Sequence, residues 1–436
     1  MPLLTSAYRP TLVQDMLRWS YSLLLTLLIP FAFASLLVKA AIRSKSYNRR
    51  RFERFGFIPR APKAGGILLH CVSVGEVVAA TGLIKKIQTL QPDLQITITT
   101  TTPTGSDRVK QTFGDSVHHF YLPFDLHMAM AGMLSRVKPS QVLIMEVELW
   151  PNLIHACWKK GIPVSVINAR MTDRSVKGYQ RLNMLAAPML HKLHQVCTQG
   201  QRDYDNYLQL GISPEKLHLT NNIKFDLEIP EKTLLRADTL AQYGLANRRI
   251  LIAGSTHEPE EAILLDAYKK LKTEFADLLL VLVPRHPHRF DLVAQLCQKQ
   301  RLTLCRTSAQ QPCNTGSDIL LADEMGLLAR LYAVADIAFV GGSLALRGGH
   351  NALEPAALAV PILMGPSQHN NPQICQILKQ AGALKNVTDS QHIVMQARNW
   401  LTNPSGMQQA GEAGLAVLKA NRGAIDATLA CLFKLT

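Results

Sequence analysis

The feature that most narrows the fold is an alternation that occurs twice. From about residue 64, short apolar runs rich in Val, Ile and Leu alternate with longer amphipathic stretches. Residues 67–72, 94–100, 117–122, 141–145, 163–167 and 195–198 read as strands, and 77–90 as the first helix between them. Continuous apolar runs mark strands buried on both faces, and parallel pairs need crossover helices. The pattern therefore predicts a parallel sheet covered by helices. A charged stretch at 226–248, carrying Pro230, interrupts it. A second alternation follows, with strands at 249–253, 278–284, 318–321, 336–341 and, last, 361–364. Helices are predicted at 258–275, 291–300 and 325–334.

Two Rossmann-like halves facing across a cleft is the assembly this implies, with ligands at the carboxyl ends of strands. The predicted division is 1–45, 46–235 and 236–436, the last including the final helices. No G-x-G-x-x-G occurs, which disfavours a nicotinamide cofactor, and no other cofactor is expected.

Residues 19–38 are almost continuously apolar, contain Pro30 and carry no charge. About 20 such residues span a bilayer as a helix. Lys39, Arg43, Lys45, Arg49, Arg50, Arg51 and Arg54 follow at once. Positive charge beside a span places the body on the cytoplasmic side and attracts anionic headgroups. A spanning and a half-inserted helix both fit. The whole chain carries a net charge of +15, which calls for an acidic partner: nucleic acid, anionic lipid or a phosphorylated substrate. Aromatic residues are only 6% and no nucleic-acid motif appears, so nucleic acid is not expected. The eight cysteines form no Cys-x-x-Cys and read as reduced thiols without a zinc site.

Chemistry-bearing residues cluster where strands end. Gly341, Gly342, Ser343, Arg347, Gly348, Gly349 and His350 form a glycine-rich loop leading to Asn351, Ala352, Leu353 and Glu354. Glycines admit a ligand close to the backbone, and N–H groups at a helix start favour an anion. Arg347 and His350 suit phosphate or carboxylate, and Glu354 suits ribose hydroxyls. A second cluster is Ser255, Thr256 and His257 before Glu258, Glu260 and Glu261. Ser255 or Thr256 either caps the following helix or contacts a ligand. Pro284 and Arg285 end a strand ahead of His286 and His288.

In the first half, Glu76 lies where a strand turns into a helix. It can act as a base if apolar surroundings or a nearby carboxylate offset the lowering of its pKa by the helix terminus. A carboxylate that only offsets the helix dipole fits equally. Glu146 and Glu148 share one face if their strand continues, and their repulsion then raises one pKa. Lys224 can neutralise a departing phosphate or be plain surface. Asp203 and Asp205 have the Asp-x-Asp spacing of a metal site, but on a helix positions i and i+2 do not share a face. They read as solvated surface, and no metal is expected.

Taken together, the strings HCVSVGE, TTTTPTGSDRV, LIMEVELWPNL, NIKFD, GSTHEPEE, LVPRHPHRF and GGSLALRGGHNALEPAA resemble the Kdo transferases of Gram-negative bacteria. The resemblance runs from the apolar segment almost to the C-terminus. It implies a GT-B fold, an N-terminal acceptor domain, a C-terminal donor domain and an inner-membrane anchor. It implies metal-independent, inverting transfer of Kdo from CMP-Kdo to the lipid A precursor, lipid IVA. By motif, it implies Glu76 as the general base, with Glu146 and Lys224 stabilising the transition state. It implies Pro284, Arg285, Met325, Gly326, Leu327 and Asn351 through Glu354 as CMP contacts. Asn221, Leu327, Leu346 and Ala352 depart from the usual motif residues. At Asn221 a Gly is usual, and Asn tolerates the left-handed backbone. A UDP-sugar enzyme of the same fold and a non-catalytic membrane scaffold are the rival readings.

Overall fold

The computed structural model describes residues 8–42 and 50–433. The chain divides into two compact units, Met1–Asp226 with Arg422–Thr436, and Leu227–Asn421.

In the first unit, β1 (Ile67–His70), β2 (Ile96–Thr100), β3 (His118–Tyr121), β4 (Gln141–Met145), β5 (Val164–Ala169), β6 (Gln195–Thr198) and β7 (Leu217–Leu219) form one parallel sheet. Its order is β3-β2-β1-β4-β5-β6-β7. Side chains alternate across it. Leu68, Val142 and Val166 enter one core, whereas Leu69, Leu143 and Ile167 enter the other. Both faces are covered, as the continuous apolar runs require. The order reverses between β1 and β4, so the loops leaving those strands diverge and open a crevice at their carboxyl ends.

The second unit repeats the design. It contains β8 (Arg249–Thr256), β9 (Leu278–Pro284), β10 (Leu304–Arg306), β11 (Ile319–Leu321), β12 (Ile337–Val340), β13 (Ile362–Met364) and β14 (Leu384–Asn386). The sheet is again parallel, in the order β10-β11-β9-β8-β12-β13-β14, with the reversal between β8 and β12. Two glycines allow the close approach there. A Cβ on Gly341 would lie 2.3 Å from the Ser255 carbonyl oxygen, and one on Gly254 would lie 2.1 Å from the Tyr332 hydroxyl.

Three expectations change. Residues 361–364 do not hold the last strand, because β14 follows. β7, β10 and β14 interrupt their apolar character with His218, Arg306 and Lys385, so they lack the continuous apolar run that marks the equally short β11 and β13. The boundary falls at Asp226 rather than 235, and the final helix, Ala424–Phe433, belongs to the first unit. Asp226 accepts the backbone N–H groups of Gly423 at 2.6 Å and Ile425 at 2.5 Å. Ile425 and Leu429 join the core around Val77, Leu83 and Ile84.

Helix α1 (Leu12–Ile42) has a segment, Leu12–Ser35, long and apolar enough to cross a membrane by length and composition. One stripe docks on its own unit. Arg18 and Ser22 donate to Asn152 Oδ1, and Tyr21 donates to Asp125. The opposite side exposes Leu23, Leu24, Leu27 and Phe31. Of the basic cluster, the Lys39 side chain and Arg43, Lys45 and Arg49 lie outside the described residues. Arg50 and Arg54 turn inward. Arg54 is buried and donates to the Thr101 carbonyl, and Arg50 pairs with Glu53 and donates to the His119 carbonyl. Those two charges hold the unit together and are not presented to headgroups.

Candidate active site

Glu76 sits in the first turn of helix α2 (Val74–Leu90), three residues after the extended N-cap Ser73. Its Oε2 accepts the Val72 N–H at 2.7 Å, so the carboxylate reaches back over the helix start much as in a capping box. Helix N-termini lower carboxyl pKa values, and a base here needs surroundings that offset this lowering. The environment overrides it. Burial, first, and the charges of Glu146 and Glu148 push Glu76 up to about 8, against the lowering pull of the Val72 N–H and Lys224.

Glu146 and Glu148 do not extend β4, which ends at Met145. Glu146 takes a left-handed φ of 61°, donates its N–H to Ile167 and accepts from the Arg170 N–H. The turn brings its Oε1 to 3.0 Å from Lys224 Nζ. Glu148 is also raised, chiefly by burial. The Lys224 backbone is fixed in a short 3-10 turn, Ile223–Phe225, capped by Asn222 Oδ1. Asn222 Nδ2 donates to Gln199, Gln199 Nε2 donates to the Asn168 carbonyl, and Asn168 Oδ1 accepts the Ile223 N–H. Asn221 does adopt the left-handed backbone, at φ 64°. Thus Glu76, Glu146 and Lys224, separated by up to 148 positions, come together in one unit, with Glu148 alongside.

In the second unit a cavity of about 260 Å³ opens at the carboxyl ends of β8, β9, β11 and β12. Its wall includes Ser255, Pro284, Arg285, Met325, Gly326, Leu327, His350, Asn351 and Glu354. Val283, Glu324, Leu328 and Tyr332 also line it, and sequence reasoning had not singled these out. Gly254 was a sign of Tyr332 and Leu328 alone, because a Cβ there would meet both. Burial raises Glu354, while Asn351 and Arg285 partly offset it. Asn351 Oδ1 caps Leu353 N–H at 3.1 Å. His350 Nε2 lies 2.9 Å from His257 Nε2 with the rings nearly parallel, 7° apart. Burial lowers each to about 4.

Several expected contacts are structural instead. Thr256 does not cap the next helix, Glu260–Lys272, because β8 runs through it. Its hydroxyl donates to Glu261. Ser343 is fully buried, donating to Val340 O and accepting from Gly365 N–H. Gly341 and Gly342 are packed, and Ala352 and Leu353 face the core. Arg347 is exposed and outside the cavity wall, and Gly348 and Gly349 are buried loop positions. The loop N–H groups do not wait for an anion. Those of Gly342 and Ser343 end on Glu260, Gly348 N–H on Ser367, and those of Arg347 and Gly349 on Gly342 O.

Asp203 was expected to be solvated, but it is buried and accepts the Met171 N–H at 2.8 Å. Among the described residues no group of three or more His, Cys, Asp or Glu is placed to hold a metal ion.

Two parallel seven-stranded sheets with sites at their switch points define an α/β protein of the GT-B class. The solved structure of MurG from Acinetobacter baumannii matches with a TM-score of 0.56 and 14% identity, over 85% of this chain and 100% of that one. At that identity the likeness shows the fold alone. A family model described as 3-deoxy-D-manno-octulosonic-acid transferase (kdotransferase) matches residues 49–227. The 3-deoxy-D-manno-octulosonic acid transferase of Haemophilus influenzae is 40% identical, over 95% of this chain and 97% of that protein. That of Bordetella pertussis is 33% identical, over 88% and 90%. The chain belongs to the 3-deoxy-D-manno-octulosonic acid (Kdo) transferases and is a glycosyltransferase.

The raised Glu76 carboxyl has a measurable cost. A carboxyl whose folded pKa exceeds its unfolded value favours the fold while protonated, and that contribution is lost as pH rises through the folded pKa. Glu76→Gln removes the titration. Its melting temperature relative to wild type should therefore climb between the ordinary value of 4.5 and about 8, then level. A difference that stays constant with pH contradicts the assigned environment.

Proposed function

We propose that the enzyme transfers Kdo from CMP-Kdo to a hydroxyl of lipid IVA by single, inverting displacement, with Glu76 as general base. The observation that carries this reading is the carboxyl held near 8 by burial and two neighbouring carboxylates. A base works best when its pKa lies near the operating pH. The ionised Glu76 takes the acceptor O–H proton as that oxygen bonds to the anomeric carbon of Kdo. The bond from that carbon to the phosphate oxygen breaks, and CMP leaves with the electron pair. The proton ends on Glu76. Lys224, oriented by Glu146, supplies positive charge for the developing negative charge.

The donor reading is supported by the chemistry of the cavity wall. Arg285 offers a guanidinium for one phosphate or the sugar carboxylate. Val283, Leu327 and Leu328 offer apolar surface for a base, while Asn351 and Glu354 offer hydrogen bonds to a nucleoside. A monophosphate leaving group requires less neutralisation than a diphosphate, so we propose that side-chain cations such as Arg285 suffice without metal. The basic surplus of the chain suits a phosphorylated lipid acceptor. We further propose that α1 seats the enzyme on the cytoplasmic face of the inner membrane through its exposed leucines.

The decisive assay supplies pre-formed CMP-Kdo and lipid IVA with EDTA present and reads products by mass spectrometry. Acceptor kcat/KM should rise with pH up to about 8 and then level. Glu76→Gln should lower kcat by about 10²–10⁴-fold with CMP affinity unchanged. A flat profile, or transfer that survives the substitution, contradicts the base assignment, and inhibition by EDTA contradicts metal-free transfer.

Arg285→Ala should raise donor KM by about tenfold or more, the scale of one lost charge-assisted hydrogen bond. Unchanged donor KM contradicts its role. Replacing Leu23, Leu24 and Leu27 together by Gln should move the protein from washed membranes to the soluble fraction. Retention on the membrane contradicts anchoring by α1.

A further inference from the structure

The glycine loop after β12 has the shape of an anion-binding curl, in which successive backbone N–H groups converge on one point. Its occupant is part of the chain. Glu260 is fully buried. Its Oε2 accepts Gly342 N–H at 2.8 Å and His257 N–H at 2.9 Å. Its Oε1 accepts Leu344 N–H at 2.9 Å, Ser343 N–H at 3.0 Å and Ala345 N–H at 3.3 Å. A carboxylate has about four lone-pair sites, so five donors saturate it. Burying the charge is tolerable only because it is so fully hydrogen-bonded.

The consequence reaches the donor cavity by two short routes. Four consecutive N–H groups fix the loop from Gly342, and the loop then closes on itself through His350 N–H to Gly341 O at 3.0 Å. That closure sets where His350, a cavity residue, emerges. The fifth N–H belongs to His257, whose Nε2 meets His350 Nε2 at 2.9 Å. Two ring nitrogens at that distance share one proton, so each ring fixes the tautomer of the other. Both halves of the imidazole pair are therefore tied to one carboxylate.

We propose that Glu260 is the positioning residue of the donor site: it fills the loop's anion curl from within and thereby holds His350 and the residues after it at the cavity wall. This inference rests on the donor reading above. It also means that the donor phosphate is met by side chains and not by the curl.

Glu260→Gln keeps the size but swaps one acceptor oxygen for an N–H₂ group facing N–H donors. CMP affinity, by calorimetric titration, should weaken about tenfold or more, the loss expected for one charge-assisted hydrogen bond. Donor KM should rise in parallel, with kcat at saturating donor within about threefold, because the reacting groups are untouched. Leu378→Ala, a buried change on the helix Pro372–Gln380, serves as the stability control. A variant that only melts earlier, like that control, with donor KM and CMP affinity unchanged, overturns the inference. Should Glu260→Gln not fold, His257→Gln reads the same linkage: donor KM rises with kcat held, and unchanged KM overturns it. Wild-type enzyme that transfers Kdo without binding CMP overturns the donor reading and this inference with it. Wild-type CMP binding matched by Glu260→Gln overturns the inference alone.

Discussion

An ion pair between Lys224 and Glu146, set beside the carboxylate of Glu76 with Glu148 near it, is the constraint on which the first unit's chemistry depends. The Lys224–Glu146 contact of 3.0 Å neutralises one of these carboxylates and lets the others stay close. Glu76 then bears both burial and residual repulsion, and its acidity falls. The backbone is bent to keep the cluster. Glu146, Asn168 and Asn221, all non-glycine, take left-handed φ values of 61°, 48° and 64°. Such residues cost on the order of 1–3 kcal/mol each when the conformation is unfavourable, less for Asn, and persist where surroundings over-determine them. Here the Asn168–Gln199–Asn222 hydrogen bonds supply that determination.

The second unit handles charge differently. Its glycine loop could have cradled a ligand anion with backbone N–H groups, as such loops do elsewhere. Glu260 takes that place, and the loop becomes scaffold. Ligand contact passes to side chains at the ends of β9, β11 and β12. The two units thus share one layout, a site where strand order reverses, with opposite electrostatics: carboxylate-rich in one, and guanidinium and imidazole beside Glu354 in the other.

The parts of this account that were legible in the sequence are those written in long or local patterns. Val-, Ile- and Leu-rich runs of five and seven residues marked β4 and β9 to the residue, because both faces of such strands are buried. Glu76, Glu146, Lys224 and Arg285 were accessible from motifs at strand ends. Asn221 stands where the resemblance has a Gly, and its φ of 64° is the left-handed one that Asn tolerates. What escaped depends on partners distant in the chain. Asp203 has the spacing of a metal ligand and the burial of a structural acceptor, and only the Met171 N–H decides between them. The final helix returns to the first unit through Asp226, 197 residues before Gly423. Glu260 looked like one more acid at a helix start, since nothing local says that five N–H groups will meet it. The acidity of Glu76 was only half legible: the helix dipole is local, whereas the burial and the carboxylates that offset it are tertiary.

The central claim is that burial and neighbouring carboxylates keep Glu76 a weak acid suited to accept a proton near neutrality. The most direct test is the difference infrared spectrum of wild type against Glu76→Gln, followed through pH in the carboxyl C=O stretching region. The account expects one protonated carboxyl band, absent from the variant, that disappears with a midpoint near 8. Loss of that band in the ordinary carboxylate range near 4.5 would show a solvated, already ionised Glu76 and contradict the account.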